Sequence, residues 1–216
     1  SIWSSADGDG RSFLRRSRPA TAALRSLAIV GSRLVAVGDG RIIYLSGDLT
    51  GASWTPESSP ATATLRGVAW SGTSTVAVGD GGALLRAGGA GVGWVQVQID
   101  ETSDLLAVAA DPRAGVPGRY LAVGRSGVLW RGEADGLTWT KLISPTVQDL
   151  RGVTWGGPTA VVVGAAGTIY WSPGSGTDRE TVFDDGTRLT GALAVVAGGR
   201  ISAAGVSGFE GGGKSL

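Results

Sequence analysis

The 216-residue chain has no cysteine, no histidine and no methionine. Without cysteine there are no disulfides and no thiolate chemistry. Without histidine the usual general base at neutral pH is missing, and so is the commonest metal ligand. The missing methionine leaves the chain without an initiator, which reads as a removed leader or as a segment of something longer. No apolar run reaches the roughly 18 residues that span a membrane, so no membrane insertion is expected. Charged residues make up only 17% and the net charge is +1. Such a balance exerts no global attraction on nucleic acid, and no nucleic-acid partner is expected.

Glycine is plentiful instead, 38 of 216 residues. It follows no Gly-X-Y period, which excludes collagen. It punctuates a repeat. "LVAVGDG" ends its apolar run at Gly38, "TVAVGDG" at Gly79, "YLAVGRSG" at Gly124, "AVVVGAAG" at Gly164 and "ISAAGVSG" at Gly205, at spacings of 41, 45, 40 and 41. Trp54, Trp94 and Trp139 follow the first three of these glycines by 16, 15 and 15 residues. A third marker precedes them: "LRSLAIV" from Leu24, "LRGVAW" from Leu65, "LLAVAA" from Leu105 and "LRGVTW" from Leu150.

A period near 40 with several short strands per unit predicts an all-β β-propeller. Each unit reads as four antiparallel strands. The innermost is of the "LRGVAW" type and the second of the "TVAVG" type. A Gly-x-x-Gly turn then leads to a third strand such as "TIYWS", and the fourth begins at the Trp. The Gly-x-x-Gly glycines are expected to supply positive φ. The two ends complement each other. "SIWSSADGDGRSFLRR" matches the last two strands of a unit, and "ALAVVAGGRISAAGVSG" matches the first two. The expectation is one domain over residues 1–208 with five blades. Residues 189–208 and 1–18 would form the fifth blade and so remove both open edges. Residues 209–216 lie beyond the match and read as a flexible tail.

"SGDLTGASW", with Ser46, Asp48, Gly51, Ser53 and Trp54, returns at the N-terminus as Ser5, Asp7, Gly10, Ser12 and Phe13. Blade three carries Glu133, Gly136, Thr138 and Trp139. This resembles the Asp-box, or bacterial-neuraminidase repeat, with one extra residue between Asp and Gly. The wider repeat is similar to propellers of the photosystem II assembly-factor type. The resemblance implies a propeller fold. In it the Asp would hold a tight turn and the aromatic ring would pack between sheets.

Catalytic constellations are thin. A sialidase needs a Tyr nucleophile, yet Tyr44 and Tyr170 share a repeat position with Leu85 and Trp130, which marks a packing site. Five-bladed glycosidases place carboxylates around the channel. Here the inner strands hold no acid, and Asp104 and Asp149 only precede two of them. No catalytic residue, metal site or cofactor is assigned, and Asp39 and Asp80 read as turn residues. The recurring Arg25, Arg66 and Arg151 follow the Leu that opens the inner strand. They are expected at one mouth of the channel, as a cationic rim for an acidic partner or as a locally paired one. Leu106 takes that place in blade three, and Ala192 in the last unit. Trp70 and Trp155 end two inner strands, either in the core or lining clefts between blades.

These features predict a non-catalytic interaction module, a rigid scaffold for a protein partner in an exported or virion assembly such as a phage tail. Its place would be extracytoplasmic or in the virion. The alternatives are a lectin-like propeller with a glycan ligand and, last, a glycoside hydrolase.

Overall fold

The computed structural model describes residues 2–5, 13–17, 22–111, 119–156, 159–172, 180–183, 192–197 and 200–205. Residues 209–216 lie outside them. The first two strands, β1 (Ile2–Ser5) and β2 (Phe13–Ser17), pair with each other. Four antiparallel four-stranded meanders follow. Blade one holds β3 (Leu24–Val30), β4 (Arg33–Gly38), β5 (Ile43–Ser46) and β6 (Trp54–Pro56). Blade two holds β7 (Leu65–Trp70), β8 (Ser74–Gly79), β9 (Leu84–Gly88) and β10 (Val95–Gln96). Blade three holds β11 (Leu105–Ala110), β12 (Tyr120–Gly124), β13 (Leu129–Gly132) and β14 (Trp139–Lys141). Blade four holds β15 (Leu150–Gly156), β16 (Thr159–Gly164), β17 (Ile169–Ser172) and β18 (Glu180–Phe183). The last pair is β19 (Ala192–Ala197) with β20 (Arg200–Gly205).

Successive inner strands lie side by side: β3 with β7, β7 with β11, β11 with β15 and β15 with β19. The core therefore sits between blades rather than within one. Val35, Val37, Ile43 and Leu45 of blade one pack on Leu65, Val68, Ala77 and Leu85 of blade two. Val76, Val78 and Leu84 of blade two pack on Leu105, Val108, Tyr120 and Trp130 of blade three. Leu121, Val123 and Leu129 of blade three pack on Leu150, Ala160 and Val162 of blade four. Alternation along each strand sends one set of side chains to the preceding blade and the other to the next. This is why the runs read as continuously apolar.

The marker glycines owe their place to crowding rather than to left-handed backbone. Gly38, Gly79, Gly124 and Gly164 are extended, with φ of −176, −167, −159 and −157°. A Cβ on them would stand 2.1, 2.1, 2.1 and 2.3 Å from the carbonyl oxygens of Ala23, Thr64, Asp104 and Asp149. That corrects the expectation for the first Gly of each Gly-x-x-Gly turn. The left-handed residues come two and three positions later: Gly40 and Arg41, Gly81 and Gly82, Ser126 and Gly127, Ala166 and Gly167. Two consecutive left-handed residues make a turn whose twist suits a hairpin. The turns close through Ala83 N–H to Asp80 O (3.2 Å), Val128 N–H to Arg125 O (3.1 Å) and Thr168 N–H to Ala165 O (3.2 Å).

The end strands each form half a blade. Among the described residues no ladder joins β20 to β1, so the expected mixed blade is not closed as a sheet. Phe13, expected to be buried like the three tryptophans, is 58% exposed.

Candidate functional site

The rim expected from the arginines begins with an irregularity of the inner strand. Leu24 faces Gly38 and Ser26 faces Val37, so Arg25 is an extra residue in the ladder. The same slip isolates Arg66, Leu106 and Arg151. A bulge re-aims its side chain and bends the strand locally. Four blades thus present one side chain each at the same level. The last pair has no slip: Ala192 faces Gly205 and Leu193 faces Ala204. Ala192 therefore takes the place of the strand-opening Leu, not of the arginine, which corrects the alignment expected there.

Each arginine meets a carboxylate. Arg25 grips Asp39 with two bonds, Nε–Oδ1 at 2.7 Å and Nη2–Oδ2 at 2.9 Å. Arg66 grips Asp80 in the same way, with Nη2–Oδ2 at 3.1 Å and a second, shorter bond from Nε. Arg151 Nη2 lies 3.5 Å from Asp149 Oδ2. Blade three inverts the pattern. Its bulge carries Leu106, and its turn carries Arg125 where blades one and two have Asp39 and Asp80. Arg125 donates to Asp104 at 2.8 Å and reaches Asp149 at 3.6 Å. Blades one and two therefore keep their acid in the turn, and blades three and four keep it just before the inner strand.

The acids also join neighbouring blades. Asp104 Oδ1 accepts the Gly81 N–H of blade two at 3.0 Å, and Asp149 Oδ1 accepts the Ser126 N–H of blade three at 3.1 Å. The Gly81 amide, and after it Arg125, hold the Asp104 carboxyl below its ordinary pKa. The hydrogen bond from Arg25 does the same for Asp39. Arg66 adds to the lowering at both Asp39 and Asp104. From blade one to blade four the rim is thus a row of alternating charge, with bonds between blades two and three and between blades three and four. Asp39 and Asp80, read from sequence as turn residues only, are the partners of two rim arginines. Both pairs sit 14 residues apart, and that constant offset was the available signal.

No family model matches the chain, and no curated protein matches it in sequence. Solved structures do. A structure described as YCF48 bound to D1 peptide superposes with a TM-score of 0.60 at 17% identity, over 76% of this chain and 55% of that one. YCF48 from Cyanidioschyzon merolae gives a TM-score of 0.57 at 17% identity, over 78% of this chain and 59% of that one. The fold is propeller-like. The chain spans little more than half the length of these neighbours, and with no family model matching, the Asp-box resemblance rests on local turns.

Those turns are well formed. Asp48 Oδ1 accepts the Thr50 N–H at 2.8 Å and the Thr50 hydroxyl at 2.7 Å. Trp54, Trp94 and Trp139 each donate the indole N–H to the carbonyl three residues earlier, on Gly51, Gly91 and Gly136, at 2.9, 3.0 and 3.0 Å. These three glycines have φ of 65, 72 and 70°, so the recurring Gly three before the Trp is a conformational requirement. In blade three the acid that holds the turn is Asp135, not Glu133: its Oδ1 accepts the Leu137 N–H at 2.8 Å. Trp94 is buried, while Trp54 and Trp139 are half-buried.

Trp155 is 3% exposed and lies in the cluster between blades three and four. Trp70 packs against the cluster between blades one and two. Among the described residues, no group of three or more His, Cys, Asp or Glu side chains could hold a metal ion.

Sequence reasoning missed one cluster. Glu101, on the link from β10 to β11, is 5% exposed in its side chain. It meets Lys141 Nζ at 2.9 Å and accepts the Trp130 indole N–H at 3.3 Å and the Ser103 N–H at 2.9 Å. Burial pushes its pKa up. The bonds from Lys141, the Ser103 amide and Trp130 outweigh that and hold it at about 2. A lone Glu in a link gives no sequence signal of this kind.

Proposed function

We propose that this protein is a non-catalytic, protein-binding propeller whose contact surface is the rim of Arg25, Arg66 and Arg151. The observation that supports this reading most is the belt itself. Bulges, tight turns and acids from adjacent blades hold a row of guanidinium groups at one level, on a rigid frame. A pre-organised surface loses little entropy on binding. Each arginine already has a carboxylate partner, so the belt exerts little net field. A partner is selected by offering carboxylates that can share or replace Asp39, Asp80 and Asp149. The likeness to a propeller described with a bound peptide supports a peptide segment as the ligand. The reading takes the ring as five-bladed, in an exported or virion assembly, with no reaction catalysed.

The test uses synthetic peptides rich in Asp and Glu, matched with amidated versions of the same sequences. Wild-type protein is expected to hold the acidic set, more weakly as salt rises. The variant Arg25→Gln/Arg66→Gln/Arg151→Gln is expected to lose that preference while melting as a folded protein. Unchanged binding by the triple variant at low salt overturns the proposal.

A further inference from the structure

We propose that the outer edge of blade two, along residues 94–99, pairs with the same edge of a second copy of the chain, so that the protein associates in pairs through a two-fold contact.

The outermost strand of a blade ends its sheet. Its unpaired N–H and C=O groups accept another strand unless a side chain guards them. One register position carries that guard. Arg15 stands there opposite Trp3, Pro56 opposite Tyr44 and Lys141 opposite Trp130. In blade four the position holds Thr181, opposite Tyr170, with Glu180 beside it in the strand. A charge makes a second chain costly to bring up, and a proline withholds its N–H. Among the described outer strands, only β10 has neither: it places Gln96 opposite Leu85. Residues 87–99 hold no charge and no proline. Val95, Val97 and Ile99 alternate there with Gln96 and Gln98, an uncharged β-branched pattern that pairs readily.

The backbone is turned the right way. Val95 faces Arg86 in the ladder, and the Val97 N–H donates to the Leu84 carbonyl at 2.9 Å. Odd-numbered residues therefore spend their backbone groups on β9, and those of Gln96 and Gln98 point away from the sheet. Both glutamines are exposed. Val95 shares a face with Val97, which is buried between blades two and three, yet Val95 itself is 49% exposed. The open face of blade one, where Leu27 and Ile29 are 55% and 60% exposed, belongs to the five-blade reading. The edge of blade two does not depend on it.

A second copy is the occupant because this edge is its own complement. In an antiparallel pairing centred on Val97, Gln96 of each copy faces Gln98 of the other, and each such pair exchanges both its N–H···O=C bonds. Val95 gains Ile99 of the second copy as a cross-strand neighbour. Asp100 falls opposite Trp94, so no like charges meet. The same patch serves both chains, as an isologous contact requires, and the guarded edges stop association at two.

The other blades supply the test. Gln96→Pro copies blade one, where the Glu57 N–H still donates to the Ile43 carbonyl at 2.9 Å beside Pro56. Gln96→Lys copies blade three. In a concentration series read by sedimentation equilibrium, wild type is expected to rise from the mass of one chain toward that of two. Both variants are expected to stay at one chain while melting as wild type does. Amide exchange on wild type gives a second reading that needs no variant: the Gln96 and Gln98 amides are expected to slow as the protein is concentrated. A wild type that stays at one chain, a dimer that both variants retain, growth past two chains, or glutamine amides indifferent to concentration would each overturn the proposal. The arginine rim is untouched in both variants, so acidic-peptide binding reports on that surface separately.

Discussion

The contact between blades two and three and the outward face of blade one are built from the same repeat positions, yet one is filled and the other lies open. In the filled contact, Tyr120 stacks on Trp139 with ring centroids 5.9 Å apart. It bonds the Ser74 carbonyl at 2.6 Å and the Ser74 hydroxyl at 2.9 Å. The Ala134 carbonyl accepts hydroxyl protons from Ser71, Thr73 and Ser74. The loops before Trp94 and Trp139 reach back over the preceding blade: a Cβ on Gly136 would meet Val76, and one on Gly91 would meet Val35, each at 2.8 Å. The corresponding Gly51 meets only its own blade, at Leu34 and Trp54. A blade is thus only half of a stable unit, because its apolar faces need a neighbour on each side.

The sharpest probe of that difference is the outer-strand Trp. Trp139→Ala removes a ring shared by two blades and is expected to cost about 3–5 kcal/mol in a denaturant or thermal melt. Trp54→Ala is expected to cost clearly less if its far side stays open. Equal costs would show that a blade covers it.

The second probe is Glu101→Gln, which leaves Lys141 and the Trp130 indole facing a neutral group. Its folded pKa of about 2 lies below the ordinary carboxylate value of 4.5. The stabilisation is therefore complete above pH 4.5 and fades as pH falls toward 2. Wild type is expected to exceed the variant by on the order of 2–3 kcal/mol at neutral pH. The two melts should converge as pH approaches 2. A gap independent of pH would assign the residue a packing role only.

A smaller effect separates Val68→Ala from Leu27→Ala. The buried Val68 should cost about 1–2 kcal/mol, and Leu27 close to nothing while its face is open. A loss at Leu27 as large as at Val68 would show that a blade covers this face, as the five-blade reading requires. The smallest expected change is at the rim. Arg25→Gln removes an exposed pair and should move the melting temperature little, the more so at high salt.

Much of this was legible in the chain. The period fixed the four meanders because each strand boundary falls on a residue with one physical job. Gly38 and its counterparts admit a carbonyl where no Cβ fits, and Trp94 and its counterparts close their own turns. The arginine level was legible too, since one offset from Leu24, Leu65 and Leu150 repeats. The pairing was not. It depends on whether the acid stands in the turn or before the strand, and blades one and two differ from blades three and four in that choice. Glu101 escaped because its meaning comes from Lys141 and Trp130, which only the fold brings to it. Phe13 was expected inside by analogy with Trp54, and analogy carries no information about whether a covering sheet is in place.

The extra residue in each inner strand has a consequence for how such a surface can change. Because Arg25, Arg66, Leu106 and Arg151 fall outside the ladder register, their identity is uncoupled from strand pairing. Blade three tolerates Leu there with its four strands intact. Each of the four blades therefore carries, like a lettered dial, one position that can be rewritten, by selection or by design, without renegotiating how its strands pair.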